Sequence, residues 1–389
     1  QKWEDVDKQL LKPENTQFGE HLSLTNPFRP ETKQAYNSEM NFEEKIICAF
    51  QVLKKKMAWN GRYQLYSKEL EKVIKKGSGS NADLNFILIS ILKDFGLEAY
   101  PVVMSRRSSG MLPYNFPSLQ KLNTFFVAIH DINKQKYVFL DSSMDVPAFN
   151  ILPLELSVNK ARMLSLKEKE EKKWVNVMAL SHNKSFMKID ARIEGNQVKG
   201  HRSTVLYGQE AIEYQANENH KQDNLVSNPE NKVSQKEKLT VTNLKVKKQE
   251  NDWALIEEEF DFVLQADRTD DHLYINPMLF PQLKSNPFIQ TERVLPIEFP
   301  YPYKFTMLST LTLPEGYEVE ELPQSQSIRS EGDGLQCKYM IQQQGNTILL
   351  NYVFHLKGYI FLSEQYKQLQ ELWAKVIEKN NALIVLKKI

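Results

Sequence analysis

Hydrophobic positions along this chain follow two rhythms, and the change falls near residue 170. Before it, apolar residues recur at three- and four-residue spacing over 42–57 and 83–95, which predicts two helices. Ile46, Ile47, Phe50 and Leu53 form the buried stripe of the first. WNGRY at 59–63 is a turn signal, and KKGSGSN at 75–81 is a flexible loop feeding the second helix, which ends at Gly96 as a C′ residue. Strand-like runs follow at 99–105, 124–132 and 137–141, the last two joined through DINKQK. The segment 159–174 is dense in alternating Lys and Glu and predicts a solvated connector.

Beyond it, polar and apolar residues alternate as they do on strands with one wet face. SFMKIDARIEGNQVKGHRSTVLYG gives two strands around the turn EGNQ. KLTVTNLKVKK, WALIEEEFDFVLQA, KFTMLSTLTL, LQCKYMIQQQGNTILLNYVFHL and ALIVLKKI add further strands and hairpins. The polar stretch 215–238 predicts a short helix plus loop. One late helix is expected over 363–379, with Ser363 as N-cap and Tyr366, Leu369, Trp373 and Ile377 as its core stripe. Helices followed by strands predict an α+β chain with a β-sandwich-like C-terminal region. The expected organisation is a lead-in segment (1–40) packing on a first domain (41–172), then a β-rich region (173–389) with a further split near 300 left open.

Composition narrows this picture. A chain of 389 residues exceeds one core, and 41% hydrophobic with 25% charged residues is ordinary for a soluble globular protein. With 50 Lys plus Arg against 49 Asp plus Glu, the net charge of +1 offers no field for nucleic acid or anionic lipid. The longest apolar stretch, around 86–92, is broken by Ser90 and falls short of a membrane span, which needs about 18 residues or more. Cys48 and Cys337 are too few for a disulfide framework or a zinc site, and each reads as a buried structural thiol. His21, His182, His201, His220, His272 and His355 fall in loops or in the β part without metal-like spacing, so no metal or cofactor is expected. The chain starts at Gln1 without Met or a leader-like stretch, which reads as a processed chain or a piece of a longer one.

The stretch that speaks about chemistry is GSNADLNFILISILKDFGLEA, 79–99. A loop entering a helix N-terminus favours a nucleophile, because the dipole and free N–H groups lower a thiol's pKa and can hold an oxyanion. A histidine from a neighbouring strand and an oriented carboxylate would complete a triad. The run resembles the nucleophile helix of the transglutaminase-like superfamily, whose fold is papain-like. That family's pattern is Gly-x-Cys-x-Asp, an apolar helix, then Gly-Ile/Leu. Gly79, Asp83, Gly96, Leu97 and Ala99 match it. The family's cysteine falls on Asn81, its histidine on Thr124 (Asn123 if the register slips by one), and its carboxylate on Asp141 in FLDSS.

Further segments keep the same order: WEDV…FG, KMAWNGRY, VVMSRRSSG, VFLD…ILP, NPF (286–288), RVLPI (293–297), LPEGY (313–317), ELP (321–323) and the terminal IVLKK. They resemble a bacterial subgroup in which the transglutaminase-like domain lies between two β-rich domains of unknown function. The resemblance implies an exported protein, periplasmic or at the cell surface. It also implies a further N-terminal β domain in the full-length protein that has no counterpart in this sequence.

With Asn and Thr in place of nucleophile and base, the triad logic fails, since losing either group removes orders of magnitude of rate. Ser78 and Ser80 flank Asn81, but a serine needs a base within hydrogen-bond reach. His130, six residues beyond Thr124, belongs at the far hairpin end. The expected function is therefore a non-catalytic binding or scaffold module. The remaining cleft would be lined by Trp59, Asn60, Arg62, Ser80, Asn123 and Arg106, an aromatic and guanidinium groove suited to a peptide or a glycan; the alternative puts Trp59 in the core and the arginines in solvent. Asn81 reads as an N-cap of the helix, and Asp141 as a turn cap through Ser142 and Ser143. The rival reading is a peptide- or cell-wall-directed hydrolase or acyltransferase with unrecognised groups, and a third is a purely structural domain. An open groove over Asn81, Thr124 and Asp141 would favour ligand binding; a filled one favours structure.

Overall fold

The computed structural model describes residues 2–12, 17–67, 69–223 and 239–389, with side chains of 217–223 left aside. They divide between Ser181 and His182 into two units.

The first unit opens with α1 (Trp3–Leu11), α2 (Gln17–Leu22), α3 (Arg29–Ala35) and α4 (Phe42–Lys56). The short strand β1 (Ala58–Trp59) runs parallel to β2 (Ser78–Gly79), with α5 (Leu70–Lys76) between them. Then come α6 (Asn81–Asp94) and the strands β3 (Glu98–Met104), β4 (Thr124–Asp131), β5 (Lys136–Leu140), β6 (Ala161–Met163) and β7 (Trp174–Val175). These five form an antiparallel sheet in the order β5-β4-β3-β6-β7.

β4 does not alternate because both faces of the sheet are covered. Phe125, Val127 and Ile129 pack into the core shared with α4 and α6, while Phe126 and Ala128 join Val102, Met163 and Leu156 on the other face. α6 is buried from Asn81 to Leu92, which explains its nearly all-round apolar sequence.

Two expectations are corrected here. The segment 159–174 is not a solvated connector: Ala161–Met163 pairs with β3, and Arg162 and Lys173 are buried, 0% and 7% exposed. The chain also divides nine residues later than 172/173, because Trp174 and Val175 hydrogen-bond to β6.

The second unit contains β8 (Lys184–Glu194), β9 (Gln197–Tyr207), α7 (Gln209–Asp223), β10 (Leu239–Gln249), β11 (Asp252–Gln265), β12 (Asp267–Arg268), β13 (His272–Ile275), β14 (Ile297–Glu298) and β15 (Tyr303–Thr312). It continues with β16 (Tyr317–Glu321), β17 (Gln326–Arg329), β18 (Leu335–Gln344), β19 (Thr347–Leu356), β20 (Ile360–Phe361), α8 (Tyr366–Asn380) and β21 (Ile384–Lys388). An eight-stranded sheet runs β10-β11-β9-β8-β15-β19-β18-β17, and a four-stranded one runs β12-β13-β21-β16. Strict alternation along β8 and β19 leaves one face wet, and the inner faces of both sheets share a core with Tyr366, Leu369, Trp373 and Val376 of α8.

The split near 300 does not exist. β15 pairs in parallel with β8 across more than a hundred residues of sequence, so the sheet spans that position. The late helix also starts differently, since Ser363 opens a single 3-10 turn and its side chain caps nothing, while Gln365 reaches back to the Leu362 N–H at 2.8 Å. The loop expected at the end of 215–238 lies outside the described residues, as does the His220 side chain. Among the described residues no helix is long and apolar enough to cross a membrane.

Gly200 marks a close approach inside the large sheet. A Cβ there would stand 2.6 Å from the Asp190 carbonyl oxygen and 2.8 Å from the Phe262 ring. Gly200→Ala is expected to cost the second unit about 1–3 kcal/mol, because a backbone atom cannot step aside. Chemical denaturation followed through Trp253 and Trp373 measures it; an unchanged midpoint would contradict the packing argument.

Candidate functional site

Three elements bring the singled-out residues together. Asn81 is the first residue of α6, Thr124 opens β4, and Asp141 directly follows β5. Their exposures are 0%, 0% and 1%.

The Asn81 amide nitrogen donates to Thr124 Oγ1 at 2.8 Å and the Phe125 carbonyl at 3.0 Å, with Asp141 Oδ2 at 3.4 Å. Its Oδ1 accepts the Gln64 N–H at 2.9 Å, and its own backbone N–H donates to the Arg62 carbonyl at 3.0 Å. The segment following β1 is thereby tied across the head of α6. One helical turn on, the Asn85 amide nitrogen donates to Phe125 O at 2.8 Å and to Asp141 Oδ2 at 2.9 Å, and Asn85 Oδ1 accepts the Ser142 N–H at 2.9 Å. Asp141 Oδ1 accepts the Ser143 N–H at 2.9 Å and the Ser143 hydroxyl. Ser143 Oγ in turn lies 3.3 Å from the Tyr63 hydroxyl.

Burial pushes the Asp141 carboxyl above the usual carboxylate range, against the pull of hydrogen bonds from Ser143, Asn85 and Asn81. It also lifts the Tyr63 hydroxyl to about 12. The Lys54 ammonium donates to the Ser142 carbonyl at 3.2 Å; burial lowers its pKa, with Asp145 and Asp141 opposing. The cluster is a hydrogen-bonded network of amides, hydroxyls and one carboxylate, in which the buried Ser142 Oγ finds no partner among the described residues.

Asn81 does not cap α6. Ser80 does: its Oγ accepts the Asp83 N–H at 3.3 Å, while Asp83 Oδ2 accepts the Ser80 N–H at 2.8 Å, a reciprocal capping box. Ser80 is therefore buried at the helix start and does not face a cleft. Asp141 does cap the following turn through Ser143.

The other cleft candidates serve local structure. Trp59 is half-buried against the Tyr63 ring (centroids 5.1 Å apart) and donates Nε1–H to the Arg62 carbonyl at 3.0 Å. Asn60, exposed, accepts the Arg62 N–H through its side chain at 3.0 Å, and the Arg62 side chain faces solvent. Asn123 Oδ1 accepts the Arg106 N–H at 3.0 Å, and the Arg106 guanidinium stands 3.9 Å from Glu155.

The histidine nearest in sequence, His130, is stacked on Tyr137 at 4.8 Å with Nδ1 3.5 Å from Glu98, at the far end of β4. His21 is in α2 and not in a loop: its ring packs 5.2 Å from Phe86 of α6, and burial lowers its pKa while Glu20 and Asp83 oppose. Cys48 is half-buried, its thiol raised by burial; Cys337 is buried and raised to about 11.

Sequence reasoning passed over Asn85, Lys54 and Tyr63. Asn85 carried a signal, because two asparagines four apart on an otherwise apolar helix share one face.

Comparison with known proteins reaches parts of this chain. A family model described as a domain of unknown function (DUF3858) matches residues 271–386. Among solved structures, the chain is similar to that of a protein from Parabacteroides distasonis described as a "putative protease", with a TM-score of 0.55 and 12% sequence identity over 95% of this chain. The chain covers 57% of that protein, little more than half its length. At that identity the likeness shows the fold alone. No curated protein matches.

Proposed function

We propose that the first unit is a non-catalytic, transglutaminase-like module of an exported bacterial protein, serving as a scaffold. The carrying observation is that Asn81 lies within hydrogen-bond reach of both Thr124 and Asp141, at the positions where the family holds Cys, His and Asp, and that all three are sealed from solvent. A filled centre favours a structural part over a peptide- or glycan-binding cleft. Asparagine supplies no ionisable nucleophile and threonine no base, so acyl transfer has neither of its first two participants. The match of 271–386 to a domain of unknown function agrees with the arrangement in which such a module is followed by a β-rich partner.

The rival is a peptide hydrolase, favoured by the description of the Parabacteroides protein. Labelling separates them. Thiol-directed alkylating probes and fluorophosphonates are expected to leave residues 59–64, 78–85 and 123–143 unmodified under native conditions. Rapid modification of one residue there, abolished by unfolding, would overturn the inactive reading. A thermal-shift screen against peptides, glycans and peptidoglycan fragments tests the scaffold role: a ligand at 100 times its Kd raises stability by about 2.7 kcal/mol. Such a shift, lost on substituting Trp59 or Arg62, would restore the cleft-binding reading.

A further inference from the structure

The second unit holds a cavity of about 210 Å³ with aromatic walls. Phe299, Tyr301, Tyr303, Phe305, Phe354 and Trp373 are among the residues that line it, with Glu210 from the first turn of α7 as the one charged group in the lining. Trp373 is 5% exposed, and its indole N–H is buried without a hydrogen-bond partner among the described residues.

Beside this wall stand two acids. The Tyr301 hydroxyl lies 3.4 Å from Glu210 Oε1 and 3.3 Å from Glu213 Oε1, and one O–H can donate to only one of them at a time. Burial raises the pKa of both carboxyls and their mutual repulsion raises that of Glu210 further, while no cation among the described residues acts on either. The surroundings are fixed in advance. Asn183 Oδ1 accepts the Gln209 N–H at 2.9 Å, pinning the start of α7 to the entry of β8, and Ser185 Oγ lies 2.7 Å from the Tyr303 hydroxyl.

We propose that this cavity binds a small organic ammonium ion, its apolar body against the aromatic walls and its charged nitrogen at Glu210 and Glu213. Aromatic surface supplies both apolar contact and a quadrupole that attracts cations. The half-buried Glu210, backed by the exposed Glu213 and with too few donors between them, rejects anions and favours a cation over a neutral ligand of the same shape. The volume is below the roughly 300 Å³ at which drug-sized pockets begin, so the ligand is a single-ring or short-chain amine. The site belongs to the second unit and does not depend on whether the first unit is catalytic.

The test is calorimetric titration of the whole chain with phenethylammonium, methylammonium and tetramethylammonium at neutral pH. 2-Phenylethanol and 3-phenylpropionate serve as the neutral and anionic counterparts of the first. Saturable binding of phenethylammonium is expected, with 2-phenylethanol weaker by about tenfold or more, the loss typical of a charge-assisted hydrogen bond, and no binding of the carboxylate. Glu210→Gln should weaken the amine by about the same factor with an unchanged unfolding temperature. Glu213→Gln, at an exposed position, provides the same reading should Glu210→Gln fold poorly. Equal affinity for amine and alcohol, undiminished binding in both variants, or no binding of any of the three amines would overturn the proposal.

Discussion

Replacing Asp7 by Ala will destabilise the first unit by about 3–5 kcal/mol, because it strands two buried cations. Arg162, wholly buried, holds Asp7 bidentately, Nε to Oδ1 at 2.6 Å and Nη2 to Oδ2 at 2.7 Å, and Lys173 adds a contact to Asp7 Oδ2 at 3.2 Å. The rings of Trp3 and Trp174 stand 5.7 and 5.0 Å from the guanidinium carbon. Burial opposes the charge on Arg162, but hydrogen bonds with Asp7 and Glu170 outweigh it and hold its pKa above the ordinary value.

Without Asp7, the half-exposed Glu170 alone faces both cations. Breaking one side of a buried pair costs far more than the pair contributes, so Asp7→Ala with Arg162→Met should cost less than the two single losses added, with a coupling above about 1 kcal/mol. Amide exchange along α6 and β4 measures this in the first unit alone. A loss below about 1 kcal/mol for Asp7→Ala would mean that water screens the pair as at a surface. A domain's whole margin is only about 5–15 kcal/mol, so the expected loss decides whether the unit is folded at all when warm.

This network shows where the sequence is legible and where it is silent. α6, β3, β4 and β5 could be read because local rules agree there: a Gly-rich entry, an unbroken apolar run, Gly96 at the end, then β-branched and aromatic runs. Their convergence on Asn81, Thr124 and Asp141 followed from the family resemblance, not from periodicity. The Asp7–Arg162 pair joins residues 155 apart, and no local pattern announces it. Alternating Lys and Glu around Arg162 imitates a solvated face, yet burial there is set by pairing with β3. The same limit hid the parallel pairing of β8 with β15. At the helix start the error was local. Ser80 and Asn81 are both good caps, and the spacing Ser80-x-x-Asp83 of a reciprocal box decides between them.

Removing Asp141 is the second large effect expected, and it tests whether this buried carboxyl is part of the fold. Asp141→Ala takes the shared acceptor from Asn81, Asn85 and the Ser143 N–H and hydroxyl. Asn81 and Asn85 keep Phe125 O, but the Ser143 N–H is left buried with no acceptor known to it. An orphaned donor plus a cavity should cost roughly 2–4 kcal/mol.

The pH dependence carries its own sign. A folded-state pKa raised above the ordinary 3.8 means that the folded chain prefers the neutral acid. The proton has a place, since Ser143 Oγ can accept from Asp141 and turn its own hydrogen toward Tyr63. The contribution of Asp141 is therefore complete below the unfolded value and is lost as pH rises through the folded one. In Asp141→Asn nothing titrates there, so the stability advantage of the parent over this variant should shrink as pH rises above 3.8. Denaturation of both proteins across that range, followed by exchange in α6, gives the difference directly. An advantage that stays flat or grows with pH would mean that the four donors hold the carboxylate ionised throughout. A loss near zero for Asp141→Ala would mean that the residue is not built into the fold. Four converging donors in a sealed centre argue that it was built in.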